Sequence, residues 1–245
     1  MRRVTAQSMI FEIKIALRDV RPPVSRRIQV LGEATLSELH DVVQAAMGWT
    51  NSHLHEFEIG GARYGPPDPD WDTDVSDEAT VKLFRLLGQG DRLRYVYDFG
   101  DNWRHTLTVE KILEPEVGVQ YPRCVAGRRA CPPEDVGGPW GYDDFLEAIT
   151  DPAHPEHDQR AEWVGAPFDP ARFALEEANE AMAWLAWRPL TAPSRPPATA
   201  TQDAHATDKP ATGSRRRVAR RPTPTGELRR SLVGDSTPGA DVGDA

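Results

Sequence analysis

Every aromatic side chain of this 245-residue sequence precedes residue 189: seven Trp, seven Phe and five Tyr. The stretch from Leu190 to Ala245 has none, and it carries Pro193, Pro196, Pro197, Pro210, Pro222, Pro224 and Pro238. Such a segment cannot bury enough apolar surface to offset the entropy of ordering it, so residues 189–245 are expected to be a disordered Pro/Arg-rich tail. Residues 1–188 are then the folding unit. A single domain of that size buries roughly 70 per cent of its unfolded surface. The break also divides the charge. The tail holds nine basic and six acidic residues, a net of +3, which leaves −12 of the chain's −9 on residues 1–189.

Within the folding unit the hydrophobic period changes in a readable order. Met9, Phe11, Ile13, Ile15 and Leu17 alternate with polar residues, the pattern of a half-buried strand; Arg26–Val30 reads as a second. Thr35-Leu36-Ser37-Glu38 is a capping box, followed by Leu36, Leu39, Val43, Ala46 and Met47 at helical spacing and by Gly48 as a left-handed stop. Period two returns at His53–Ile59, which Gly60-Gly61 turns into Ala62–Tyr64. An acidic loop spans 65–78, and Val81–Leu87 suits strand or helix. Leu93–Phe99 and Trp103–Ile112 form a hairpin around Gly100-Asp101-Asn102. Loops and helices are expected beyond Glu114: Tyr142–Ile149, Glu156–Val164, and a third capped by Asp169-Pro170 with Leu175, Ala178, Met182 and Leu185 as its stripe. Strands first and helices last predict an α+β fold, with N-terminal antiparallel strands, one early helix, and C-terminal helices packed on the sheet.

No run of eighteen apolar residues occurs, so no membrane span or membrane partner is expected. Lys14 and the alternation around it interrupt the continuous apolar core that a signal peptide needs, and a cytoplasmic protein is the expectation. Two cysteines, Cys124 and Cys131, cannot make a disulfide scaffold and are expected reduced.

Several strings occur together in an order that identifies a family. They are Phe11–Ile15, Pro23–Val30, Leu39-His40, Gly48-Trp49, His53-Leu54-His55-Glu56-Phe57, Tyr97–His105, Cys131-Pro132-Pro133-Glu134-Asp135, Gly137-Gly138 and Gly141-Tyr142. Over about residues 8–188 the chain resembles the plasmid pRiA4b Orf-3-like family, bacterial proteins often labelled as TnpR-type passengers of insertion elements. Asp98–His105 is the most specific part. Ser25 departs from a Trp usual in the family, and Val136 from a third Cys found in many members. The resemblance implies an α+β domain and no established activity.

The resolvase label fails on chemistry. Such an enzyme needs an activated serine with arginines around the scissile phosphate. Here Arg3-Val4-Thr5-Ala6-Gln7 puts Thr5 at the nucleophile position, before the first strand of an acidic domain. The strongest chemical constellation is instead His53, His55, Asp98, Asp101 and His105. Two histidines two apart on a strand can converge on one divalent metal, and the hairpin residues can add ligands, with water in an open position. The same residues also suit structure: Asp98 and Asp101 an Asx-type turn at Gly100, His53 and His105 hydrogen bonds within an aromatic core. Cys124, Cys131, His154 and His157 are an alternative zinc set, against which stands the burial of free thiols as small hydrophobes. Asp68, Asp70, Asp72 and Asp74 alternate, but an EF-hand loop from Asp70 would need Gly at Val75 and Glu at Val81. Gly137-Gly138 is ringed by Glu134, Asp135, Asp143 and Asp144, which repel phosphate, and Trp184 and Trp187 read as packing residues. The expectation is a non-catalytic binding or accessory protein linked to mobile DNA, with a metal-dependent hydrolase and an aromatic-grooved protein-interaction module as alternatives.

Arg215, Arg216, Arg217, Arg220 and Arg221 place five guanidinium groups in seven tail residues, a phosphate-binding pattern that codon bias also explains, since the chain has 25 Arg against 4 Lys. If nucleic acid is the partner, this segment carries the contact. Engaging about four phosphates gives a log-affinity slope of about −3 to −4 against log salt. Fluorescence anisotropy with duplex DNA checks it: truncation at residue 189 should abolish binding, and tight sequence-specific binding by residues 1–189 would contradict it.

Overall fold

A computed structural model describes residues 8–67 and 74–185, all within one compact unit. The alternation at the start becomes β1 (Ile10–Leu17), which pairs antiparallel on both sides, with β2 (Ser25–Leu31) and with β7 (Trp103–Leu113). The capping box closes as expected. Glu38 N donates to Thr35 Oγ1, the Thr35 amide donates to the Glu38 carboxylate, and α1 (Leu36–Met47) stops at Gly48 with φ 85°. β3 (His55–Ile59) and β4 (Ala62–Gly65) form the first hairpin, and β6 (Arg92–Tyr97) with β7 the second.

Among the described residues eight strands make one sheet in the order β5-β4-β3-β6-β7-β1-β2-β8, where β5 is Val75–Asp77 and β8 is Arg123–Arg128, antiparallel except between β4 and β5. A 3-10 turn at Glu78–Thr80 and the short α2 (Leu83–Leu86) follow β5, where the sequence suggested loop and an undecided apolar piece. β8 (Arg123–Arg128) was not expected. Its pairing with β2 shifts register so that Val125 is an extra, bulged residue, and the bulge destroys the period-two pattern by which a strand is read. α3 (Gly138–Thr150) and α4 (His157–Val164) match the expected helices. α5 (Leu175–Ala183) starts later than Asp169-Pro170. Asp169 spends its capping chemistry on a turn, accepting from the Ala171 and Arg172 amides with its side chain and carbonyl respectively.

The mixed α+β architecture therefore holds, with five helices among the described residues. The helices are less uniformly placed than expected. α5 packs on α1 and β8, whereas α4 leans on α3 and buries no residue. Trp184 is 93% exposed, against its reading as a packing residue, and Trp187 lies outside the described residues. No described helix is long and apolar enough to cross a membrane.

One sheet face is the core. Ile13, Ile15, Ile28, Val30, Leu107 and Val109 from the central strands bury against Leu36, Leu39, Val43 and Met47 of α1. Polar groups interrupt this face and close on each other. Gln44 Nε2 donates to the Tyr95 hydroxyl (3.0 Å), whose own proton goes to His40 Nδ1 (2.7 Å). His40 Nε2 then donates to Asn51 Oδ1 (2.7 Å), and the Asn51 amide returns to Gln44 Oε1 (3.2 Å). The ring ties α1 to β6 and to the segment before β3, and it fixes His40 as the neutral Nε2–H tautomer. Tyr95→Phe would strand His40 Nδ1 and remove the acceptor of Gln44, which costs about 1–3 kcal/mol. Urea unfolding at pH 7 checks this; a loss below about 0.5 kcal/mol would mean the ring does not carry load.

Candidate functional site

The end of α1 leads directly into the site. Gly48 releases the chain into Trp49, whose indole donates to the Pro132 carbonyl (2.9 Å) and stacks on Tyr97 with ring centroids 5.0 Å apart. Thr50 donates to Glu134 from both its amide (2.8 Å) and its hydroxyl, and Tyr97 donates its hydroxyl to the other Glu134 oxygen. Ser52 N donates to that same Tyr97 hydroxyl (2.9 Å). Burial works to raise the Glu134 pKa, but the bonds from Thr50 and Tyr97 outweigh it and hold the carboxylate below its ordinary value. Segment 49–54 is thereby sewn to segment 132–135 through β6.

The turn between β6 and β7 completes the arrangement. Asp98 sits in the left-handed region (φ 55°) because its Oδ1 accepts from the amides of Gly100 (2.9 Å) and Asp101 (3.2 Å), an Asx-type turn. Its other oxygen, Oδ2, faces His53 Nε2 at 3.6 Å. His53 Nε2 also meets Asp135 Oδ1 at 3.0 Å. Asp101 turns away from this group and accepts from the Gly137 amide (3.2 Å). Gly138, at φ 69°, lies so close that a Cβ there would sit 2.5 Å from the Asp101 carbonyl, so only glycine lets the two loops meet.

His53, Asp98 and Asp135 are the only group of three or more His, Cys or acidic side chains, among the described residues, able to present ligand atoms within 4.8 Å of one another. Their exposure differs: the side chains are 30%, 11% and 69% accessible respectively. No Lys or Arg pairs with either carboxylate among the described residues, and His53 is the basic side chain within 4 Å of both. Leu54 and Phe99, the next residues along from His53 and Asp98, are 58% and 55% exposed, and Trp140 in the first turn of α3 is 84% exposed.

The five-residue constellation expected from sequence is not assembled as such. His55 lies on the inner sheet face, bonded to both Glu78 oxygens (3.0 and 2.9 Å) and stacked on His40 at 3.4 Å. His105 is buried beneath Trp49 and Tyr95, with no hydrogen-bond partner of good geometry for either nitrogen. Only His53 and Asp98 of the set come together, joined by Asp135, which in the sequence stands in the string Cys131–Asp135 and among the acids ringing Gly137-Gly138. The zinc alternative is not assembled either. Cys124 donates to the Ala126 carbonyl and burial raises its pKa, as it does that of Cys131. His154 Nδ1 accepts from the Glu156 amide, and His157 Nδ1 donates to the Ala148 carbonyl, so both histidines serve the α3–α4 turn. The acidic alternation at Asp68, Asp70 and Asp72 and the five tail arginines lie outside the described residues.

An α+β domain whose surface chemistry gathers where three loops are sewn together is the class of protein described so far. The chain belongs to the family of plasmid pRiA4b ORF-3-like proteins, whose family model matches residues 9–177. It is 42% identical over 180 residues to the uncharacterized protein y4hQ of Sinorhizobium fredii, a match spanning 72% of this chain and 92% of that one. Among solved structures it is similar to the protein of unknown function MM3350 from Methanosarcina mazei Go1. That likeness has a TM-score of 0.64 at 38% identity, covering 69% of this chain and 97% of the other.

The buried histidines make the fold acid-sensitive. Burial, reinforced for His40 by the neighbouring His55, pushes His40 down to about 4; burial alone pushes His105 down to about 4. The unfolded chain therefore binds more protons than the native one between about pH 6.5 and 4. Stability is fully present above pH 6.5 and is lost as pH falls toward 4, by up to about 1.4 kcal/mol per pH unit for each group. In urea titrations between pH 6 and 5, His105→Leu should flatten this slope by about one proton while changing stability little at pH 7. An unchanged slope would contradict the neutral burial of His105.

Proposed function

We propose that this chain is a non-catalytic binding protein that holds a divalent cation between His53 Nε2, Asp98 Oδ2 and Asp135 Oδ1. The observation that carries this reading is the convergence of those three atoms from three separate segments, with no Lys or Arg on either carboxylate among the described residues. One imidazole and two carboxylates suit a borderline ion such as Zn²⁺ or Mn²⁺, with water at the remaining positions. The metal then does structural work. It neutralises the two acids and locks the 49–54, 98–102 and 134–138 segments, which carry Leu54 and Phe99 and lead into Trp140. These exposed apolar residues are the contacts offered to a protein partner. The strings that carry the family resemblance, from Gly48-Trp49 to Gly137-Gly138, are the ones that assemble here, which supports reading the site as the purpose of the fold.

A metal-dependent hydrolase is the second reading, favoured by a three-residue ligand set that leaves positions open for water. An accessory role beside mobile DNA draws its support from the family resemblance and the tail arginines.

Isothermal titration with Zn²⁺ and Mn²⁺ tests the proposal. One ion per chain should bind, and Asp135→Asn, at an exposed position, should weaken it at least about tenfold without changing apo stability. His53→Ala should abolish binding. Equal affinity in both variants would sink the ligand set. Turnover of a phosphodiester substrate by the metal-loaded protein, lost in Asp135→Asn, would put the hydrolase first.

A further inference from the structure

At the C-terminal end of α1 a buried cation has no anion among the described residues. Arg26 projects from β2 into the core with only 3% of its surface exposed. Its Nε donates to the Ala46 carbonyl (2.8 Å) in the last turn of α1, and its Nη1 to the carbonyls of Ser25 (2.8 Å) and Arg128 (3.0 Å). The guanidinium lies over the Phe173 ring, 4.2 Å from its centroid. Nη2 has no protein acceptor, and no carboxylate comes within ion-pair distance. The ionisable groups that bear on it most are the thiols of Cys124 and Cys131, whose pKa values burial raises, so they supply no negative charge at neutral pH. Three carbonyls and a ring face supply partial charges only. A buried full charge without a counter-ion is costly, and such groups are normally paired.

Arg26 also lines a cavity of about 240 Å³ between the end of α1, α5 and the segment before α5. Met47, Phe168, Phe173 and Ala178 supply an apolar stretch of its wall, while Asp169 and Glu177 bring carboxylates to it, Asp169 at an exposed position. The other basic residue there, Arg172, is already paired with Glu177. With the Arg172–Glu177 pair neutral overall, a chamber with an apolar stretch and a largely buried cation whose Nη2 is unspent is an arrangement that binds a small organic anion. We infer that this cavity is a binding site for a compact monocarboxylic acid with an aromatic or branched aliphatic body, its carboxylate held by Arg26 Nη2 and its body against Phe168 and Phe173. Phosphate fits less well, because a dianion needs more donors than one nitrogen supplies, Arg172 is already paired, and Asp169 and Glu177 repel a second negative charge. This site is independent of the metal reading: no residue of it is shared with His53, Asp98 or Asp135.

Titrating the full chain with benzoate, benzyl alcohol and inorganic phosphate, followed by amide NMR shifts, tests the assignment. Benzoate should saturate shifts at Met47, Gly48 and Ala174, with benzyl alcohol at least about tenfold weaker and phosphate without saturation. Ala45→Phe fills the cavity while leaving Arg26 in place and should abolish benzoate binding. Arg26→Met should equalise benzoate and benzyl alcohol; should that variant fail to fold, the comparison of Ala45→Phe with the parent still decides. Absence of saturable benzoate binding, equal affinity for the alcohol, persistence in Ala45→Phe, or a preference for phosphate would each overturn it.

Discussion

Tyr95 carries a hydroxyl into an interior where an unpaired O–H would cost as much as several buried methylene groups gain. The structure meets that demand with a closed circuit, Gln44 to Tyr95 to His40 to Asn51 and back to Gln44, in which every donor has one acceptor. Two of the four residues belong to α1 and one each to β6 and the segment leading to β3. The circuit therefore sets the height of α1 over the sheet, the rotation that turns His40 inward, and the path of the chain after Gly48. Apolar packing alone would leave that register weaker, since volume and pattern can be satisfied by several neighbouring arrangements.

Everything at the candidate site hangs from the same circuit. Asn51 is held two residues before His53, and Tyr97 lies two residues after Tyr95 on the same strand face. The Tyr97 hydroxyl then repeats the device nearer the surface, accepting from Ser52 and donating to Glu134. Two ranks of tyrosine thus position two ranks of polar partners, one sealed and one reaching solvent. The carboxylates of Asp98 and Asp135 are tolerated at such proximity because Asp98 is partly neutralised by two amides of its own turn while Asp135 stands in water. His53 bridges what is left.

Local signals in the sequence were legible because the chemistry behind them is local. Thr35, Glu38 and Gly48 bound α1 to the residue, since capping uses atoms three positions apart. The Asx-type turn at Asp98 is equally local. Period-two alternation, by contrast, misled at His53 and His55. It put both on one strand face, but β3 begins at His55, and the aromatic wall of Tyr97 separates a solvent-facing imidazole from a buried one. Asp135 had no local signal: its partner is 82 residues away, and only the string Cys131–Asp135, met as part of the family resemblance, marked its neighbourhood. β8 was hidden for a further reason, because a bulge at Val125 erases the alternation on which strand reading depends.

The inner sheet face bears Arg26, His55, Tyr95 and His105 where a helix-covered face could have been wholly apolar. Each of these costs stability that an aliphatic residue would supply, so their arrangement relative to α1 is informative. Arg26 grips the carbonyl of Ala46 at the helix's C-terminal turn, where the macrodipole favours a cation. His55 and Tyr95 meet His40 and Gln44 along the middle of the helix. A helix pinned at its end and its centre by directional bonds cannot slide by a turn without breaking both. The price in stability is exchanged for one fixed position of Gly48, and hence of Trp49, on which the first of the site's three loops depends. The same bargain leaves Arg26 with the two N–H groups of Nη2 unspent beside a cavity, a consequence of using a five-donor group to hold three carbonyls.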